Sequence, residues 1–214
     1  NGSKKTLLMT RMAPHVEIVA AAMNAYGTKV LVLPESDQRS LHYSNQLTSG
    51  MECLPYRITL GDFMKFYYDD GVHAEEFEGF MAGAYGPCRF GKYAIEQSHA
   101  LKAIGFHLPI RTAVSNNAYR DLNLGRDFER LAWKGIVAMD CLERLVWRTR
   151  PYEKQSGSAD QLFTEYTSWL ADCIRRKGTV DDIMRQATNE FKALIDPEQQ
   201  RKPLIGINGE IYLR

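Results

Sequence analysis

Thr6-Leu7-Leu8-Met9-Thr10 and Lys29-Val30-Leu31-Val32-Leu33, with Pro14 to Gly27 between them, decide the fold class of this chain. Each run is short and apolar, and Pro34 closes the second, which is the pattern of a buried strand. The stretch between them reads as a helix. Pro14 suits a first helical turn, where its missing N–H would have no partner in any case. Val16, Val19, Ala20 and Met23 then recur on one face, and Gly27 is a stop signal. Strand, helix and strand within about 30 residues make a βαβ unit. A crossover of this kind makes its two strands parallel.

The same alternation continues outward from this unit. Glu35 to Gly50 is a polar connection. Residues 54–70 predict a helix with Ile58, Phe63 and Phe66 inward and Gly71 beyond it. Phe77 to Ala82 predicts a third strand, which runs into a glycine-rich loop at Gly83–Gly91. A helix over 92–104 and a fourth strand over 107–114 follow. Past Asn117 the pattern turns helical: Phe128, Leu131, Ala132, Ile136, Met139, Leu142 and Val146 form the stripe of a long amphipathic helix over 125–149. Pro151 ends it. Two more helices are expected over 159–177 and 179–195, and 203–212 predicts a last strand. The expected division is an α/β lobe over 1–120 that carries the cysteine loops, a helical segment over 121–200, and a terminal strand over 201–214. That strand has no helix after it. It is expected to return to the sheet, to pair with another copy of the chain, or to open a second lobe.

The 214 residues include 44% apolar, 25% charged and 11% aromatic side chains. These are globular proportions, which exclude a disordered chain and a collagen-like fibre. Lys and Arg number 27 against 26 Asp and Glu, for a net charge of +1. Such a balance sets up no broad field for nucleic acid or anionic membrane, and a dedicated nucleic-acid binder is disfavoured. No apolar run approaches the ~20 residues of a membrane helix, and no signal peptide is visible at the start. Cys53, Cys88, Cys141 and Cys173 are widely spaced and form no C-x-x-C pair. A reducing, cytoplasmic compartment is the expectation. The histidines include no H-E-x-x-H zinc helix, and no acid/base pair or nucleophilic triad stands out.

Gly86 to Tyr93 reads G-x-x-x-x-G-K-Y, one residue from a phosphate-binding loop. Tyr93 stands where a small hydroxyl would hold magnesium. Pro87 removes an N–H from a loop that works by directing N–H groups at phosphate. Cys88 suggests a different chemistry. It is expected at the carboxyl end of a parallel strand, where open α/β sheets bind ligands. It also precedes a helix and has Arg89 beside it, a setting that favours thiolate. Thiolate is the form that holds soft metals and iron–sulfur clusters. Cys53 follows the Thr48-Ser49-Gly50 turn and precedes Pro55, again at a helix start. The alternative for both is a small residue that fills a turn. Cys141 and Cys173 are read as packing residues of their helices. Lys134, Arg144, Arg148 and Arg150, interleaved with Asp140 and Glu143, read as a solvated helix face.

Two of these segments carry a resemblance. Thr48-Ser49-Gly50-Met51-Glu52-Cys53-Leu54-Pro55, followed by Thr59-Leu60-Gly61-Asp62, resembles the T-S-G-x-E-C-x-P…T-x-G-D segment of the 2-hydroxyacyl-CoA dehydratase superfamily. The nearest likeness is to the dehydratase-like region of CoA-enzyme activase proteins. Gly86-Pro87-Cys88-Arg89-Phe90-Gly91-Lys92-Tyr93 is similar to the G-P-C-R-F-G-x-Y loop of the same proteins. Ala132 to Asp140 and Ile205 to Arg214 are similar to later segments, in the same order.

The resemblance implies paired Rossmann-like α/β lobes with a 4Fe-4S cluster held by cysteines at their junction. Cys53 and Cys88 would then be two of its ligands, with Gly86 and Arg89 as cofactor-binding neighbours. The cluster would pass one electron to a 2-hydroxyacyl-CoA, supplied by an ATP-hydrolysing activase. The expected partners are ATPase or activase modules, dehydratase subunits, acyl-CoA, or a second copy of the chain as a homodimer. Tyr56 stands where some relatives carry a second cysteine, so a third ligand is not identified. The expected role is therefore an electron-transfer or dehydratase-like module, and catalysis by the chain alone is doubtful. The alternative is a nucleotide- or CoA-binding or non-catalytic interaction domain of a larger activase.

Overall fold

A computed structural model describes residues 5–71, 73–114 and 122–206. Its centre is a parallel sheet of four strands, β1 (Thr6–Met9), β2 (Val30–Val32), β3 (Phe77–Gly83) and β4 (Ile110–Val114), in the order β2-β1-β3-β4. Leu7 lies opposite Val30 on one side of β1, and Thr6 lies opposite Phe77 on the other. All four residues of β1 are buried. That matches a central strand covered on both faces, which a parallel sheet requires.

The alternation of side chains across the pleat divides the core into two. Leu7, Met9 and Phe80 face one way, toward α1 (His15–Ala25), α5 (Arg126–Thr149), α6 (Ser158–Arg175) and α7 (Asp181–Leu194). Leu8, Leu33 and Met81 face the other way, toward α3 (Leu54–Asp70) and α4 (Tyr93–Ala103). The chain leaves β1 for β2 on the first face and returns over β1 to β3 on the second. The strand order therefore reverses beside β1, which opens a crevice at the carboxyl ends of β1 and β3.

The elements expected from the sequence are present at nearly the expected bounds, with two differences. The polar connection after β2 contains a helix, α2 (Gln38–Ser44). Asp37 caps it, accepting from the N–H groups of Arg39 (2.8 Å) and Ser40 (3.1 Å), while Ser40 Oγ accepts from the Asp37 N–H at 3.3 Å. This reciprocal cap lets a short polar segment turn helical without an apolar stripe. At the other end of the chain, residues 203–206 are irregular and exposed, so the expected last strand does not begin there. Its remainder, 207–212, lies outside the described residues. No helix among the described residues is long and apolar enough to cross a membrane.

Two glycines allow the closest approaches between helices. A Cβ at Gly135 would stand 2.3 Å from Ile18 Cγ2, so α5 crosses α1 directly over that residue. A Cβ at Gly61 would stand 1.7 Å from the carbonyl oxygen of Ser40, so α3 lies against the backbone of α2. Beside Gly61, buried Asp62 accepts from Ser36 Oγ at 2.8 Å and Ser40 Oγ at 2.6 Å. One turn on, Lys65 Nζ donates to the Glu35 carbonyl at 2.9 Å and pairs with Asp37 at 3.3 Å.

Gly61→Ala forces α2 away from α3. It is expected to cost about 1–3 kcal/mol, the usual range for overpacking, read as a fall of several degrees in thermal melting. A melting temperature equal to the parent's would show that α2 yields freely.

Candidate functional site

The two cysteine loops meet on the face of the sheet covered by α3 and α4. Cys53 is the N-cap residue of α3, with extended backbone and Pro55 in the first helical turn. A turn closed by Glu52 precedes it. The Glu52 carboxylate accepts from the N–H of Ser49 (3.1 Å), the N–H of Gly50 (3.0 Å) and Ser49 Oγ (3.0 Å). Those donors, the Ser49 N–H foremost, hold its pKa below the ordinary carboxylate value. Gly50 takes φ +87°, a left-handed conformation that glycine adopts without strain. Thr48 Oγ1 donates to the Ser44 carbonyl at 3.0 Å and ties the turn to the end of α2.

Cys88 is the N-cap residue of a single 3-10 turn, Arg89–Lys92, which runs on into α4. Gly86 ahead of it has φ +120°. Gly91 passes so close to Ala84 that a Cβ would stand 2.1 Å from its carbonyl oxygen. The two loops are joined directly: Arg89 Nη1 donates to the Met51 carbonyl at 3.2 Å. Cys88 and Gly86 are exposed, and Cys53 is half-buried against the core of that face.

Beneath the loops lies an aromatic layer. Tyr93 packs edge-on against Tyr56 and against Phe90, each at 5.3 Å between ring centres. Tyr93 is only 5% exposed. It is a core residue packed among other rings, whereas a magnesium ligand of a phosphate site would be a small hydroxyl open to the loop. The Tyr56 phenol is pushed up to about 12, chiefly by burial and then by the nearby charges of Glu96 and Glu52.

The other residues of the quoted motif serve the framework. Thr59 Oγ1 donates to the Pro55 carbonyl at 2.7 Å and accepts from Gln97 Nε2 at 2.7 Å. Both groups are buried, and this bond links α3 to α4 below the cysteine-bearing ends. Gly61 and Asp62 hold α3 to α2, as described above.

The remaining cysteines separate. Cys173 is buried, and its Sγ lies 3.3 Å from the Thr179 carbonyl. Burial raises its thiol pKa. Cys141, expected to pack, is exposed. Its neighbour Leu142 points into the core instead, because the buried stripe of α5 runs through Phe128, Ala132, Gly135, Ala138, Met139, Leu142 and Val146. Position 141 falls off that stripe by about one residue's rotation, roughly 100° in a helix. Lys134, Arg144, Arg148 and Arg150 are exposed, in keeping with a solvated face, and Arg150 pairs with Asp160.

Among the described residues, one group of three or more His, Cys, Asp or Glu side chains has its ligand atoms within 4.8 Å of one another, namely His15, Asp140 and Glu143. It lies on the opposite face of the sheet from the cysteine loops. No sequence spacing could reveal it, since His15 and Asp140 are 125 residues apart. Among the described residues, Cys53 and Cys88 are not joined by a third such ligand. Comparison of the chain with protein families, with curated proteins and with solved structures finds no match.

The thiols should sort by exposure when the folded chain meets an aromatic disulfide reagent. Cys88 and Cys141 are expected to react first and Cys53 more slowly. Cys173 should be at least about 100-fold slower, because its reaction waits on local opening. Rapid modification of Cys173 without unfolding would contradict this packing of α6.

Proposed function

We propose that this chain is an iron–sulfur-binding module that supplies Cys53 and Cys88 as thiolate ligands to a 4Fe-4S cluster. Its setting would be electron transfer in the ATP-dependent activation of 2-hydroxyacyl-CoA dehydratases. The observation that carries the reading is the junction of the two loops. Two cysteines 35 positions apart in sequence are brought to helix starts on one face, and their loops are tied together by Arg89 and the Met51 carbonyl.

The donor set fits the chemistry and limits it. Thiolates are the usual cluster ligands, and a conventional cluster takes about four of them. Two accessible thiols on adjacent loops supply half of that number. Under this reading the other ligands come from a partner: an activase module, a dehydratase subunit or a second copy of the chain. The exposure of Cys88 and of the Gly86 loop suits such sharing. Arg89 orients one loop against the other and places a positive charge beside the thiols. Glu52 and the Thr48–Gly50 turn keep Cys53 at the start of α3. When bound, a 4Fe-4S cluster supplies one-electron transfer at a potential set by its charge, hydrogen bonding and solvent exposure. Free thiols of this kind belong to a reducing compartment, and the reading assigns the chain to the cytoplasm.

The deciding experiment is anaerobic reconstitution with iron and sulfide, with and without the activase and dehydratase components, followed by visible absorption and iron analysis. The parent is expected to take up cluster, most fully with a partner present, and a Cys53→Ser, Cys88→Ser variant to take up little. Equal uptake by the double variant would reject the assignment. An Arg89→Ala variant should bind cluster less tightly while keeping its melting temperature, because its contact joins exposed loops.

A further inference from the structure

On the opposite face of the sheet, three potential metal ligands converge from two helices. His15 begins α1, and Asp140 and Glu143 stand three residues apart on one side of α5. His15 Nε2 lies 3.0 Å from Asp140 Oδ1, and a ligand atom of Glu143 lies within 4.8 Å of both. The crossing at Gly135 makes this meeting possible. It lets α5 run back along α1, so that Phe128 packs edge-on against Tyr26 beyond the end of α1 (5.9 Å between ring centres) while Asp140 reaches its start.

We infer that His15, Asp140 and Glu143 form a binding site for a divalent cation of the zinc class at the mouth of the α1–α5 cleft. In a tetrahedral set, metal–nitrogen and metal–oxygen bonds of about 2.0–2.2 Å place neighbouring ligand atoms roughly 3.3–3.6 Å apart. The His15–Asp140 pair, at 3.0 Å, needs to open by only a few tenths of an ångström to reach that separation, and Glu143 has a ligand atom within 4.8 Å of both. One imidazole and two carboxylates suit zinc, whereas magnesium and calcium take oxygen ligands throughout. The two carboxylates also balance the ion's double charge.

The surroundings supply a second reason. His15 lines a cleft of about 540 Å³ between the two helices and the sheet. Met9, Val16, Phe80, Phe128 and Trp133 wall it, and besides His15 its polar lining comes from Thr10 and Glu129. The cleft reaches the carboxyl end of β1 beside β3, the place where open parallel sheets bind ligands. Three protein ligands leave a zinc ion an open position, and one of the three, His15, lines the cleft. The inference is independent of the cysteine loops, which lie across the sheet.

The test is calorimetric titration of the full chain with Zn²⁺, in a parent where Cys53, Cys88 and Cys141 are replaced by serine so that exposed thiolates do not compete. Saturable binding is expected. His15→Gln, Asp140→Asn and Glu143→Gln should each weaken it by at least the roughly tenfold that even an outer-shell partner costs. At one Zn²⁺ concentration the melting temperature should rise most in the parent and less in each of the three variants. Melting of the metal-free variants separates a folding defect from lost ligation. If one variant fails to fold, the other two decide. Affinity unchanged in the folded variants, or no saturable uptake by the folded parent, would leave a plain His15–Asp140 hydrogen bond and overturn the inference.

Discussion

The contact between α3 and α2 is the constraint on which the cysteine face depends. Gly61 lets the two helix backbones touch, and buried Asp62 accepts hydroxyl bonds from Ser36 and Ser40 on the neighbouring segment. Burial raises the Asp62 pKa, with the hydroxyls and Lys65 pulling the other way. A carboxyl whose folded pKa lies above its unfolded value costs stability as pH rises through that window. At neutral pH the Asp62 charge is therefore not a source of net stability. Its role is to specify one placement of α2 and of the loop after β2. A carboxylate deprived of its two hydroxyl partners in this position would be strongly disfavoured.

That placement passes directly to the thiol loops. The end of α2 holds the Thr48 side chain, the Glu52 turn follows, and Cys53 then begins α3. Further along α3, Thr59 binds Gln97 of α4, the helix that follows the Cys88 loop. The motif residues around the cysteines are thus mostly framework: Thr48, Glu52, Thr59, Gly61, Asp62 and Gly91 each satisfy a turn, a cap or a close approach. The framework leaves Cys88, Arg89 and Gly86 accessible at the surface, where a shared ligand or partner can reach them.

The helical segment after β4 does more than cover the sheet. Its three helices share one core with α1, and the cleft between α1 and α5 lies at the reversal of strand order. The molecule consequently presents two chemically different surfaces at one end of a single sheet. The soft donors stand over α3 and α4, and the imidazole and carboxylate donors stand over α1 and α5.

The α/β class, the parallel strands, the bounds of the long helices and the helix-start positions of Cys53 and Cys88 were all legible in the order of residues alone. Those features depend on apolar periodicity, glycine and proline, whose effects are local in the chain. Helix α2 escaped notice because its stability comes from a reciprocal cap of Asp37 and Ser40 and not from an apolar stripe. Cys141 departs from the packing expectation because it stands about 100° off the apolar stripe of α5, a stripe that Phe128, Ala132, Met139, Leu142 and Val146 already mark in the sequence. It took packing in three dimensions to establish that the Met51 carbonyl receives Arg89, that Tyr93 is a core residue, and that His15 meets Asp140 and Glu143. The first and last of these join segments distant in sequence, and the meeting of His15 with Asp140 depends on how closely α1 and α5 approach across Gly135, a property of packed backbones that no linear spacing records.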